Sequence, residues 1–252
     1  MLDAVVISDI HLGSANSQAK ALVHFLEDVR HGRLRTRRLV LNGDVFDSID
    51  FRRLKKHHWN VLSELRRLSD EVEITWIVGN HDGAADDISH LLGVEVLEDL
   101  VVESGGKRVL FLHGHRFDEF ISRYPLCTWL ADRVYNTLQW IDPSHRFAKF
   151  AKQQSKTFLR NAEKIFAGAV RLAEKYGCDA VCCGHTHHAG VREAGAVTYY
   201  NSGCWTEKPC HYLTLRAGVV ELHAYGAPKP PEPVADSTVV EAPAPAPAMA
   251  VA

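Results

Sequence analysis

Five short apolar runs, each ending in a cluster of Asp, Asn or His, constrain this chain more than any other feature. The clearest is Val72 to Val78, followed at once by Gly79-Asn80-His81-Asp82. The others end at Asp9-Ile10-His11, Gly43-Asp44, His113-Gly114-His115 and Gly184-His185-Thr186-His187. An Asn beside a His at the end of a strand packs poorly but suits a metal ion or a phosphoryl group. Taken singly, each stretch also reads as a satisfied polar loop, since Gly-Asp is ordinary turn chemistry. Taken together, they are expected to converge on one two-metal hydrolytic site.

The runs themselves indicate the fold class. Leu2 to Ser8 is apolar after Asp3 and reads as a strand covered on both faces. Ala19, Leu22, Val23, Leu26 and Val29 then recur at helical spacing. Leu39 to Leu41 is a second strand, and Leu54, Val61, Leu62, Leu65 and Leu68 mark a second amphipathic helix before the third strand, Val72 to Val78. This alternation predicts parallel pairing with right-handed crossovers. Later the rhythm changes to hairpins. Val101-Val102-Glu103 and Val109 to Leu112 flank Ser104-Gly105-Gly106-Lys107, and two more pairs flank Ala194-Gly195-Ala196 and Arg216-Ala217-Gly218. The expectation is an α/β fold, a four-layer α/β/β/α sandwich of two facing mixed sheets with helices outside.

Between His115 and Ala180 lies a long helical interval. Leu126, Leu130, Val134, Leu138 and Ile141 are roughly helically spaced, and Ile165, Phe166, Ala169, Leu172, Ala173 and Tyr176 form a cleaner stripe. Aromatic residues here are mixed with Arg146, Lys149, Lys152, Lys156 and Arg160. Two readings are open: helices packed on the sheet edge, or a cap giving apolar and basic contacts to a substrate. On the second, Lys149, Lys152 and Lys156 are candidate substrate-binding residues. The domain expectation is a catalytic unit over 1–226, with a helical cap insertion at about 117–176. From Ala227 onward come seven of the chain's ten prolines, so 227–252 is expected to be a disordered Pro/Ala-rich tail.

Composition excludes several function classes. A net charge of -2 argues against bulk binding to nucleic acid. The six cysteines form no paired CxxC knuckle, and no leader-like segment precedes the first strand, so a cytoplasmic protein with reduced thiols is expected. No apolar run approaches the ~18–20 residues of a membrane span, although peripheral membrane contact stays open. The basic run Arg52, Arg53, Lys55, Lys56, His57 and His58 is either a solvated helix start or a contact for phosphate or anionic lipid. No phosphate-binding loop, dinucleotide fingerprint or serine-hydrolase elbow is present.

Phosphoester hydrolysis supplies a reason for the five clusters. Two metal ions about 3.5–4 Å apart can generate a bridging hydroxide and neutralise phosphoryl oxygens. A bridging carboxylate with mixed N and O ligands suits Mn, Fe or Zn. A neighbouring imidazole that is not a ligand can protonate the leaving oxygen. The ordered set Asp9-x-His11, Gly43-Asp44, Gly79-Asn80-His81-Asp82, His113 and Gly184-His185-Thr186-His187 resembles the calcineurin-like metallophosphoesterase family over roughly residues 1–225. The resemblance implies two divalent ions, Mn before Fe or Zn. Asp9, His11, Asp44 and His187 would hold the first, and Asp44, Asn80, His113 and His185 the second. His81 would be catalytic with Asp82 orienting its ring, and Asn80 would also meet substrate.

Within that family the chain is most similar to the UDP-2,3-diacylglucosamine hydrolases of lipid A synthesis. Ser8-Asp9-Ile10-His11-Leu12-Gly13, Gly43-Asp44-Val45-Phe46-Asp47, the helical interval and Asn201-Ser202-Gly203-Cys204-Trp205 carry the likeness. It implies a sugar-nucleotide lipid substrate held under the cap. Two positions depart from that group: His81 where Arg is known, and His115 where Asp is usual. The alternatives are a phosphodiesterase or phosphatase on another small phosphoester, and a protein-binding scaffold without catalysis.

Overall fold

Strand β1 (Ala4–Ile7) is buried along its whole length because its two faces meet different cores. Val5 and Ile7 face helices, whereas Ala4 and Val6 face a second sheet. That arrangement explains a continuous apolar run where a one-faced strand would alternate. A computed structural model of the chain describes residues 1–83, 85–118 and 156–226. The predicted tail, residues 119–155 of the predicted insertion, and with them Lys149 and Lys152, lie outside the described residues.

After β1 come α1 (Ala19–Arg30), β2 (Arg38–Asn42), α2 (Lys56–Leu68), β3 (Glu73–Ile77), α3 (Ala85–Leu92) and β4 (Glu95–Leu97). They are followed by β5 (Asp99–Ser104), β6 (Lys107–Leu112), α4 (Lys156–Tyr176), β7 (Ala180–Cys183), β8 (Gly190–Ala194), β9 (Val197–Asn201), β10 (Cys210–Arg216) and β11 (Val219–Tyr225). The first sheet has the order β11-β10-β1-β2-β3-β4 and the second β5-β6-β7-β9-β8. Both are mixed. β1 to β4 pair in parallel, with Val5 opposite Leu39 and Leu39 opposite Ile74, while β10 joins β1 antiparallel. In the second sheet β7 is parallel to β6 and β9, with antiparallel β5 and β8 at the edges.

Three apolar layers separate four structural ones. Leu22, Phe25, Leu26, Val61 and Leu65 of α1 and α2 pack on Val5, Leu39, Leu41 and Trp76. Val6, Val40 and Ile77 meet Val109, Phe111 and Cys182 between the sheets. Ala169, Val170 and Ala173 of α4 cover Leu110, Leu112, Val181 and Cys183. The expected sandwich of two mixed sheets flanked by helices is therefore the observed fold. The five cysteines among the described residues are buried and none is in a disulfide.

Two local expectations change. The stripe over 165–176 is the outer layer of the fold, packed on β7 and β9, so the last part of the predicted cap insertion is a core helix instead. Leu54 is extended and lies outside α2, which begins at Lys56 after a 3-10 turn at Phe51–Arg53. The final hairpin, β10 and β11, returns to the first sheet. α3 and the three-residue β4 complete this half of the first sheet. No helix among the described residues is long and apolar enough to cross a membrane.

Candidate metal centre

Asp9, Asp44, Gly79, His113 and His185 each lie just past the C-terminal end of a strand, where parallel α/β sheets place ligands. The loops after β1 and β2 are laced together: Asp9 N donates to Gly43 O (3.0 Å), and Ile10 and His11 N donate to Asp44 O (2.9 and 3.0 Å). Asn42 then joins the sheets. Its Nδ2 donates to Cys182 O (3.3 Å), and its own carbonyl accepts from His113 Nδ1 (2.9 Å).

Five of the seven predicted metal ligands sit at positive φ: Asp9 (52°), His11 (48°), Asp44 (53°), His185 (64°) and His187 (62°). Side chains seldom adopt this left-handed region, and clustered outliers point to a site whose surroundings impose them. Glycines make room for the ligands. A Cβ at Gly43 would overlap the His113 imidazole, one at Gly79 the Asp44 carboxylate, and one at Gly184 would lie 2.5 Å from Asp9 Oδ2.

The outcome is three interlocking groups of candidate ligands: Asp9, His11 and His187; His11, Asp44 and His81; Asp44, His113 and His185. Asp9 Oδ1 is 3.2 Å from His187 Nε2, and Asp44 Oδ2 is 3.3 Å from His113 Nε2 and 3.7 Å from His11 Nε2. His11 and His187 bring their Nε2 atoms to 3.3 Å of each other. The predicted Asp and His ligands thus come together, with Asp44 common to two groups. Asn80 is exposed, between Gly79 against Asp44 and His81, whose backbone N donates to Asp44 Oδ1 (3.0 Å).

The imidazoles are arranged for metal binding by their outer contacts. His113 Nδ1 is spent on Asn42 O, His185 Nε2 lies 3.0 Å from Asp118 Oδ2, and His11 Nδ1 lies 3.5 Å from Asp47 Oδ1. His187 Nδ1 faces Thr206 Oγ1 at 3.5 Å. Each contact leaves the opposite ring nitrogen for a ligand role.

Electrostatics agree. Burial opposes ionisation of Asp9, yet His187 and His113 hold its carboxyl down at about 2. Burial likewise opposes Asp44, but His113, His11 and His81 keep it well below the usual range. Burial disfavours a charged His113, and Asp44 and Asp9 nevertheless push it up to about 10. Two buried carboxylates that draw protons onto buried imidazoles call for positive charge. His113 Nε2 is itself buried without a hydrogen-bond partner and faces a carboxylate oxygen. These residues fit divalent ions, which would satisfy both atoms with the ring neutral.

Residues 3–189 match the calcineurin-like phosphoesterase family. The chain belongs to that family. With it stands the expected class of a metal-dependent phosphoester hydrolase, as a site built for divalent ions requires. Among solved structures, this phosphoesterase is similar to an archaeal phosphodiesterase at 15% identity and TM-score 0.49, over 88% of this chain and 98% of that one. It is also similar to Yfce, a phosphoesterase from E. coli, at 18% identity and TM-score 0.49, over 88% and 92%. A third likeness is to vacuolar protein sorting 29 from Cryptosporidium parvum, at 15% identity and TM-score 0.44, over 88% and 96%. No curated protein matches the chain.

One expected role in this phosphoesterase is corrected. Asp82 does not orient the His81 ring. It is buried and accepts from Gly79 N (3.0 Å), Phe46 N (3.1 Å) and Trp76 Nε1 (3.2 Å), tying the loop after β3 to the loop after β2. The turn from Gly79 folds its carboxylate inward, onto the backbone of Gly79 and Phe46. His81 Nδ1 donates instead to the backbone carbonyl of Asp47 (3.0 Å), and the ring stands edge-on to His11 with centroids 5.0 Å apart.

Asp47, Asp118, Asn42 and Thr206 were not assigned roles from the sequence. Asp47 ends the Gly43-to-Asp47 stretch and Asn42 directly precedes it, so position hints at both. Nothing in the spacing marked Asp118. Of the basic run, Arg53 pairs with Asp47 (2.6 Å) and Arg52 with Asp50 (2.7 Å), while buried His58 accepts from Lys55 N (3.0 Å) and opens α2. Lys156 is the first residue of α4.

Proposed function

We propose that this phosphoesterase binds two divalent ions, Mn by preference, and hydrolyses a small phosphoester. The specific substrate class we infer is the pyrophosphate of a UDP-2,3-diacylglucosamine-type sugar-nucleotide lipid. The observation that supports the dinuclear reading is Asp44, whose carboxylate belongs to two His-containing groups at once. On this reading Asp9, His11, Asp44 and His187 hold one ion, and Asp44, Asn80, His113 and His185 the other. Bound there, the ions would supply a nucleophile at neutral pH and offset charge on the phosphoryl oxygens.

The remaining work falls to the chain's own groups. The Asp47 carbonyl fixes His81 with its proton on Nδ1, so Nε2 is the nitrogen that gains and gives a proton. Protonated, His81 Nε2 donates to a phosphoryl or leaving oxygen, a contribution of about 10²–10⁴ in rate. Exposed Asn80, next to it in the chain, is the neighbouring substrate contact. The finer substrate reading draws on the sequence resemblance. Its Asn201-to-Trp205 stretch underpins the site: Asn201 Nδ2 donates to Gly184 O (2.7 Å), Ser202 Oγ meets Ser8 Oγ (2.7 Å), and Trp205 N donates to Asp9 O (3.0 Å).

The test is turnover of chelator-stripped and Mn-reloaded protein on UDP-2,3-diacylglucosamine, bis-p-nitrophenyl phosphate and p-nitrophenyl phosphate. Activity that returns with Mn, falls about 10²–10⁴-fold in His81→Ala, and favours the lipid nucleotide is expected. Preference for either simple ester would overturn the lipid reading. Turnover indifferent to metal removal would overturn the whole proposal.

A further inference from the structure

We propose that Asp118 is a positioning residue for the second metal site, accepting the Nε2 proton of His185 so that Nδ1 is the nitrogen offered to the ion shared with Asp44 and His113. The inference rests on the dinuclear reading above and adds to it a residue that carries no family motif. Asp118 is buried, and its Oδ2 lies 3.0 Å from His185 Nε2. A ring whose Nε2 carries the hydrogen-bonded proton has its lone pair on Nδ1. A carboxylate in that outer position also makes the imidazole a more basic ligand than a neutral oxygen would.

Asp118 is itself held from two sides. Asn161 of α4 donates through Nδ2 to its other oxygen, Oδ1. Its backbone N donates to His115 O (2.9 Å), closing the 3-10 turn His115–Phe117 that follows the ligand His113. That turn is pressed onto the same helix, because Phe117 lies where a Cβ at Gly168 would stand. The chain of contacts therefore runs from α4 through Asn161 and Asp118 to His185. An outer helix, packed on the second sheet by Ala169 and Ala173, sets the aim of a ligand at the end of β7.

A merely structural Asp118 would affect stability and leave metal affinity alone, so the readout is metal binding. The metal-stripped full-length chain is titrated with Mn²⁺ by calorimetry, and paired ions are followed by their spin-coupled resonance spectrum. Wild-type protein is expected to bind two ions. Asp118→Asn should lose about 10–100-fold in affinity at one site, keep the other, and show isolated-ion spectra where wild type shows coupled ones. Asn161→Leu should shift the same site in the same direction by a smaller factor, and it decides the matter if Asp118→Asn fails to fold. Two ions bound with unchanged affinity in the folded variants, whatever their urea midpoints, would overturn the proposal. Fewer than two ions on the wild-type chain would overturn the dinuclear reading and this inference with it.

Discussion

His113 Nδ1 donates to the carbonyl of Asn42 across 2.9 Å, joining the end of β6 in one sheet to the end of β2 in the other. The bond does two things at once. It fixes the tautomer that turns Nε2 towards Asp44, and it makes the metal centre part of the seam between the sheets. The Asn42 side chain reinforces that seam through Cys182 O.

Asn42→Ala should therefore destabilise the metal-free protein. Asn42 is fully buried, so its removal leaves the Cys182 carbonyl without that donor and opens a small void. A loss of about 0.5–1.5 kcal/mol, the net contribution of one neutral hydrogen bond, is expected. Urea unfolding of metal-free protein measures it. An unchanged midpoint would mean that the side-chain bond contributes nothing to the seam.

Gly79→Ala tests the crowding around Asp44. Gly79 is outside the left-handed region, so alanine brings no backbone strain, only a Cβ that would overlap the Asp44 carboxylate and backbone. Because Asp44 belongs to two ligand groups, displacing it should impair both sites together. The expected result is a metal content well below two ions per chain after dialysis, read by elemental analysis. Full occupancy would show that the loop yields without moving Asp44.

The pH dependence of folding has a marker outside the ligand set. Burial, with His57 and Lys55 nearby, pushes the His58 imidazole down to about 4, and its buried Nε2 has no partner to receive an added proton. The unfolded chain takes up that proton near pH ~6.5. The stability His58 contributes is thus complete above that value and is lost as pH falls towards about 4. His58→Gln does not titrate and keeps an acceptor for Lys55 N at the same helix position. Its urea midpoint should gain on wild type steadily as the pH is lowered through this window. A constant difference between the two proteins would remove His58 from the acid response.

How much of this was legible in the sequence depended on where the signal lived. Val5, Ile7, Leu39 and Leu41 are buried on one face and Val6 and Val40 on the other, so the strands are unbroken apolar runs and the ligands that end them stand out. The Asp and His ligands were readable for that reason, and Gly43, Gly79 and Gly184 beside them are required by close approach. β4 has three residues, none of them buried, and left no trace. Asp47 acts on His81 through its backbone carbonyl, which any residue type would supply. Asp118 meets His185 from 67 residues away, a contact that exists only once α4 has docked. His58 was hidden by its neighbours, since among Arg52, Arg53, Lys55 and Lys56 it looked like one more solvated cation.

Asp82 shows the same limit in a residue that lies inside a motif. Adjacency to His81 suggested that it aims the ring, whereas its carboxylate accepts three bonds from Gly79, Phe46 and Trp76. Burial and Asp44 raise its pKa, and these three bonds oppose that rise. Asp82→Asn replaces part of that acceptor capacity with an amide donor aimed at the same three N–H groups. It should cost about 2–3 kcal/mol of stability, the scale of hydrogen bonds to a charged group. His81 would keep its bond to the Asp47 carbonyl. The measurement pairs urea unfolding with turnover of the folded, Mn-loaded protein. Wild-type stability combined with a turnover loss as large as that of His81→Ala would return Asp82 to the aiming role.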